Sequence, residues 1–177
     1  MSFLDDEEHL ARLRNEFRET PLHALLGIDY IDVGNLGEGV VAPVGAGGAP
    51  IPEGACVARM PVRPEAFGAA GNLHGGALAT LIDVAAATVA ARNSSFVPGQ
   101  NTLVTADLHV RYLGRPKGDW VDAVATVVRA GRQLIVVECR VVDPLGNVIA
   151  AADFSSMVVP LRQPIPGASN DGTSPEL

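Results

Sequence analysis

Apolar and polar positions alternate along this chain with two different periods. Leu10, Leu13 and Phe17 recur at the three-and-four spacing of one helical face, which predicts an amphipathic helix over 4–19. Asp5, Asp6, Glu7 and Glu8 open it, Arg12, Arg14 and Arg18 follow in the sense of the helix dipole, and Pro21 closes it. Ile28 to Val33 alternates weakly and reads as a strand. Between Gly34 and Gly54 seven glycines and three prolines make a loop, within which VVAPV is short enough for an edge strand. A mobile flap near a site or an edge is expected there, or else a tolerated insertion.

Cys56 to Val62 is a second strand, and RPEAFGAAGNLHGG leads into a long apolar helix from about Gly75 to Arg92. Asn93 is a natural stop for it, since asparagine tolerates a left-handed conformation. Four strands follow, at 102–113, 120–130, 133–143 and 147–160, with GRPKGD, AGRQ and DPLGN as the turns between them. Within the first of these, Leu103, Thr105, Asp107, His109 and Arg111 share one face; Val104, Ala106, Leu108, Val110 and Tyr112 share the other and read as core. The polar set faces solvent, a site or a second subunit. A helix with almost no charge must be covered on most sides, so the pattern predicts an α+β fold: an antiparallel sheet, with a four-stranded meander, curled around one central helix. Residues 1–27 form a helical lead-in, 28–162 the domain, and the small, Pro-rich 163–177 a disordered tail.

The chain is 177 residues long, the size of one domain, with 47% hydrophobic residues. Thirteen basic against twenty acidic side chains leave a net charge of −7, and Lys117 is the lone lysine. That balance excludes nucleic acid and anionic membrane as expected partners, because phosphate binding depends on clustered Lys and Arg. Acid stands where a secretory signal would be basic, and the apolar stretch from Gly76 to Ala91 is interrupted by Asp83, so a cytoplasmic protein is expected. Cys56 and Cys139 are too few and too far apart for a disulfide framework or a cysteine zinc site.

Chemistry concentrates at the central helix. From Ala77 to Ala91 it carries one charged side chain, Asp83. Such a carboxylate either faces solvent or bonds a nearby amide, or it is used. Upstream, Gly75 and Gly76 leave backbone N–H groups uncovered at the positive end of the helix, where they suit a developing oxyanion. Asp83 follows about two turns later on the same side. His74 by itself reads as a polar cap, and Asn72 as a capping amide.

HGGALATLIDVAAA resembles the signature of hotdog-fold acyl-CoA thioesterases, the PaaI-like branch of the 4-hydroxybenzoyl-CoA thioesterase superfamily. LVTADLHVRYLGRPKGD and VVRAGRQLIVVECRVVDPLGNVIAAADFSSMVV resemble the strands that follow, so the likeness runs from about Ile28 to Val159. It implies hydrolysis of an acyl-CoA thioester with no metal or redox cofactor. By that resemblance Asp83 is the catalytic carboxylate, acting as general base or nucleophile. The Gly75 N–H is the oxyanion donor, His74 adjoins it, and Thr105 positions the attacking water. Gly131 and Arg132 fall where relatives contact the pantetheine or phosphates of CoA, although Arg132 reads equally as a solvated turn arginine; Asn72, which could supply an amide, and Gly76 are further candidates for substrate binding. Many relatives carry an amide residue six positions before the histidine, and here that position is Gly68. The resemblance also implies a homodimer, doubled into a homotetramer, with the acid of one subunit working beside the helix mouth of the other. The alternative is a non-catalytic acyl-CoA-binding hotdog module, disfavoured because no basic recognition helix is appended. A hydratase would need motifs absent from this chain. The acyl group is not fixed by the sequence.

Overall fold

The computed structural model describes residues 18–97 and 99–161. Most of the expected N-terminal helix and the C-terminal tail therefore lie outside the described residues. Residues 18 and 19 are helical and the chain bends at Thr20, so the lead-in helix does end before Pro21, which in turn opens a short helix, α1 (Pro21–Leu26). A proline is tolerated at that position because its missing N–H would have no helical partner. Six strands follow: β1 (Asp29–Ile31), β2 (Cys56–Pro61), β3 (Asn101–Tyr112), β4 (Trp120–Ala130), β5 (Leu134–Val142) and β6 (Val148–Pro160). Helix α2 (Gly75–Arg92) stands between β2 and β3.

All six strands form one antiparallel sheet in the order β1-β2-β4-β5-β6-β3, which leaves β1 and β3 at its edges. The expected four-stranded meander is corrected here. β4, β5 and β6 form a meander, but β3 pairs with β6 rather than β4. The 113–119 connection cannot make a tight reversal because the amides of Leu113 and Gly114 are held by the Ile149 carbonyl (2.8 and 3.2 Å), which binds this crossover to β6.

Helix α2 crosses the concave face of the sheet. Leu81, Ile82, Ala85, Ala86 and Val89 on the helix, and Met60, Val121, Ile135, Val137 and Phe154 on the strands, are all fully buried. Alanine on the helix lets the sheet approach closely and supplies high helix propensity. Thr80 and Thr88 satisfy their hydroxyls on the carbonyls of Gly76 and Val84 (2.9 Å each). By length and composition α2 could cross a membrane, with mean hydropathy 1.3, yet half of it is buried inside the domain. Asn93 ends the helix with φ −111°, not in the left-handed region; its side-chain amide instead donates to the Val89 carbonyl at 2.8 Å.

The Gly/Pro-rich 34–54 segment contains no strand, only a 3-10 turn at Ala46–Gly48. It lies on the convex face, away from the helix, and so is a cover rather than a flap over the site. Ile51 and Ala55 pack with Ile31 and Val148 on Val57, Val124 and Val142. Gly47 donates to the Gly146 carbonyl at 2.8 Å, and Arg59 donates to that of Val41 at 3.0 Å. At Gly146 (φ 81°) a Cβ would come within 2.4 Å of the Gly48 nitrogen, so only glycine fits the contact. Under the cover, Arg59 forms a two-pronged ion pair with buried Asp122 (2.7 Å each) and stacks 4.6 Å from the Trp120 ring centre.

Candidate active site

Two elements meet at Asp83: the middle of α2 and the edge strand β3. The simple alternation expected for β3 fails because the pairing with β6 slips between Thr105 and Asp107. A bulge inserts one unpaired residue and re-aims the side chains beyond it. Leu103 and, past the bulge, Leu108 and Val110 pack on the core, whereas Val104 is 40% exposed. Thr105 therefore faces the helix, and its hydroxyl donates to Asp83 Oδ1 at 2.8 Å. The grouping of Thr105 with Asp107, His109 and Arg111, and of Val104 and Ala106 with the core, is corrected by this slip. Asp83 is half-buried.

At the helix mouth His74 is the cap residue (φ −66°, ψ 136°), and its Nδ1 accepts the Gly76 N–H at 2.9 Å. Among the described residues nothing accepts the Gly75 N–H, as expected for the first amide of a helix. The Gly75 carbonyl accepts from the Tyr112 hydroxyl at 2.9 Å. Asn72 is not the cap: its side-chain amide donates to the Ala70 carbonyl at 3.3 Å, and its backbone carbonyl accepts the Gly68 N–H at 2.8 Å. A Cβ at Gly68 would lie 3.1 Å from His74 Cδ2, so the missing side chain leaves space that the imidazole uses.

Gly131 and Arg132 stand apart from this cluster. They form the β4–β5 turn, where Gly131 donates to the Leu134 carbonyl at 2.9 Å and Gln133 accepts from the Val158 amide. With Arg129, Leu134 and Val136 they line an open groove. Arg129 and Val136 are paired across the two strands, on the side of the sheet opposite the buried Ile135 and Val137.

Gly75 and Asp83 share a helix face but stand eight residues apart, about 12 Å along the axis. One reacting carbonyl needs its anion donor within about 3 Å and its base equally close, so a single chain does not bring the two groups to one carbonyl. Tyr112, at the level of Gly75, and Thr105, at the level of Asp83, mark the same gap along the edge strand. In the sequence Tyr112 reads only as a core position of β3, and nothing there signals its bond to Gly75. Among the described residues no three His, Cys, Asp or Glu side chains are placed to hold a metal ion.

The family model of the thioesterase superfamily matches residues 70–150, a span that contains His74, Gly75, Asp83, Thr105 and Tyr112. A Halobacterium salinarum protein attributed an esterase activity is 43% identical over 74 residues, which are 42% of this chain and 48% of that protein. The match thus spans about half the length of the curated relative. A Bacillus halodurans protein solved with CoA is 33% identical, over 58% of this chain and 66% of its own, with a TM-score of 0.53. A mutant thioesterase from Pseudomonas aeruginosa superposes with a TM-score of 0.68 at 22% identity, covering 85% of this chain and 94% of its own. Curved sheet and single central helix give this chain the hotdog fold of the thioesterases it resembles, and its 70–150 segment, a little under half of the chain, matches the thioesterase superfamily.

Proposed function

We propose that this protein hydrolyses acyl-CoA thioesters in the cytoplasm, at sites each built from two chains. The observation that carries the reading is Asp83, the one charge on the core helix between Ala77 and Ala91, held by the Thr105 hydroxyl in the family's matched segment. The Gly75 N–H stabilises the carbonyl oxygen as it gains charge. Asp83, oriented by Thr105, takes the proton of the attacking water, or attacks the carbonyl itself. Collapse of the tetrahedral intermediate breaks the carbon–sulfur bond and releases CoA thiolate, which then takes up a proton; where Asp83 itself attacks, the mixed anhydride left on it is cleaved by water to free the acid and restore the carboxylate. Neither a metal nor a redox cofactor enters these steps. Within the matched superfamily, the finer PaaI-like placement is part of this proposal.

The second chain supplies what the 12 Å gap removes. β3 is a twelve-residue edge strand, and such an edge recruits a partner. An antiparallel pairing of two β3 strands that sets Thr105 of one opposite Tyr112 of the other brings Asp83 to the other chain's Gly75. Counting inward past the bulge, Asp107 then faces Arg111, Leu108 faces Val110, and His109 faces its own copy on the two-fold axis. Each facing pair shares one side of the sheet, as an antiparallel ladder requires, and Asp107 meets an opposite charge. The bulge makes the odd spacing from 105 to 112 compatible with that symmetry.

The test is thiol release from short, long and aromatic acyl-CoAs by the purified chain. Turnover of at least one, lost in Asp83→Ala, supports the reading. Saturable CoA-ester binding without turnover would instead favour an acyl-CoA-binding module.

A further inference from the structure

The peptide unit between Gly75 and Gly76 is held at both ends. Its N–H is taken by His74 Nδ1 at 2.9 Å, and its carbonyl is taken by the Tyr112 hydroxyl at 2.9 Å. Two consecutive glycines are the most permissive start a helix can have, because neither carries a Cβ to restrict its backbone. The Gly75 N–H, on the preceding peptide and two bonds away across Cα, points wherever the Gly75 backbone sets it. Fixing the next peptide plane by both its donor and its acceptor therefore fixes the direction of that free N–H. Tyr112 also accounts for the glycine itself: a Cβ at position 75 would lie 3.1 Å from Tyr112 Cζ and 3.2 Å from its oxygen.

We propose that Tyr112 is a positioning residue for the oxyanion donor, acting through the Gly75 carbonyl with His74 holding the opposite side of the same peptide. This rests on the hydrolytic reading above for its catalytic consequence, but the clamp is a property of the chain alone. Tyr112 is 54% exposed at the end of the edge strand. In the two-chain arrangement its ring stands across from Thr105 of the other chain and walls the composite site between the two reacting groups.

Tyr112→Phe removes only the hydroxyl and keeps the ring. The expected result is a kcat lower by about tenfold, less than the 10²–10³ typical for outright loss of an oxyanion donor, with KM and Tm little changed. His74→Ala should lower kcat similarly, the double variant should fall short of the product of the two, and His74→Asp, whose carboxylate can accept the same N–H, should recover part of the loss. Unchanged kcat in Tyr112→Phe, or a loss confined to KM, overturns the proposal. A second readout does not depend on turnover: the Gly76 amide nitrogen resonance, which senses the hydrogen bond to the Gly75 carbonyl, should shift in Tyr112→Phe. If the wild-type chain hydrolyses no thioester, the proposed function falls, and an unmoved Gly76 resonance would separately overturn the clamp.

Discussion

The Thr105 hydroxyl reaches Asp83 at 2.8 Å because β3 is bulged immediately after Thr105. Without that extra residue, either Thr105 or the Leu108 and Val110 pair would face away from the helix. The bulge reconciles a core-packed strand end with a polar group under the acid.

Asp83→Ala should remove turnover while leaving the fold and CoA-ester binding intact, since the carboxylate is half-buried and its bonded partner among the described residues, Thr105, can turn to water. Thr105→Val, which keeps the volume but not the donor, should lower kcat by about 10–100-fold, as expected when a hydrogen bond that orients a general base is lost. Wild-type kcat in either folded variant, measured by thiol release, contradicts the assigned chemistry.

Gly75→Val should disturb the anion donor without touching an acid. The new side chain starts 3.1 Å from Tyr112 Cζ and must displace the ring or the helix mouth. A kcat lower by about 10²–10³ is expected. A change in KM alone would remove Gly75 from the chemistry.

The symmetric β3 pairing can be trapped. Directly opposed residues on antiparallel strands have Cα atoms about 4.5–5.5 Å apart, within the range a disulfide spans, so His109→Cys should cross-link two chains under mild oxidation. The native thiols do not compete: Cys56 and Cys139 are buried, and burial pushes the Cys56 thiol up to about 11 and that of Cys139 higher still. Cross-linking at Val104→Cys but not at His109→Cys would move the axis and break the register.

Stability against acid should depend on Asp143. It is 1% exposed, and its carboxylate accepts from the amides of Lys117, Leu145 and Asn147 and from the Asn147 side chain. Burial alone would raise its pKa, but the Asn147 side chain and the three amides outweigh it and hold the group below its ordinary value. A depressed folded pKa stabilises the protein above the unfolded value and loses that contribution as pH falls through the folded one. Asp143→Ala should cost about 3 kcal/mol near neutral pH, with the difference in Tm from wild type shrinking below about pH 4. A difference constant from pH 7 to pH 3 would contradict this.

Much of the architecture was legible in the chain. Nearly uncharged α2 announced its own burial, and Asp83, nine residues after the histidine of HGG, marked the candidate site. Alternation located each strand of the sheet to within a residue or two. What period-two reading could not show was the bulge, because Ala106 carries no local sign that it is the extra residue. Nor could it show that β3 skips β4, since that follows from the Ile149 carbonyl holding the crossover. Tyr112 was hidden for a related reason: its ring reads as core, and its hydroxyl matters only because α2 begins beside it. The glycine-rich cover reads in the sequence as either a flap or a tolerated insertion because its anchors, Gly146 and the valines of the convex face, are distant in sequence.

The shared site is tested most directly by mixing two lesions. Asp83→Ala and Gly75→Val chains, each nearly inactive alone, are unfolded and refolded together, and random pairing gives about half mixed dimers. Each mixed dimer holds one site with both lesions and one with an intact Asp83 and an intact Gly75, so activity should return to about a quarter of the wild-type level. No recovery in mixed dimers verified by mass, or full activity in a wild-type monomer, would contradict the two-chain site.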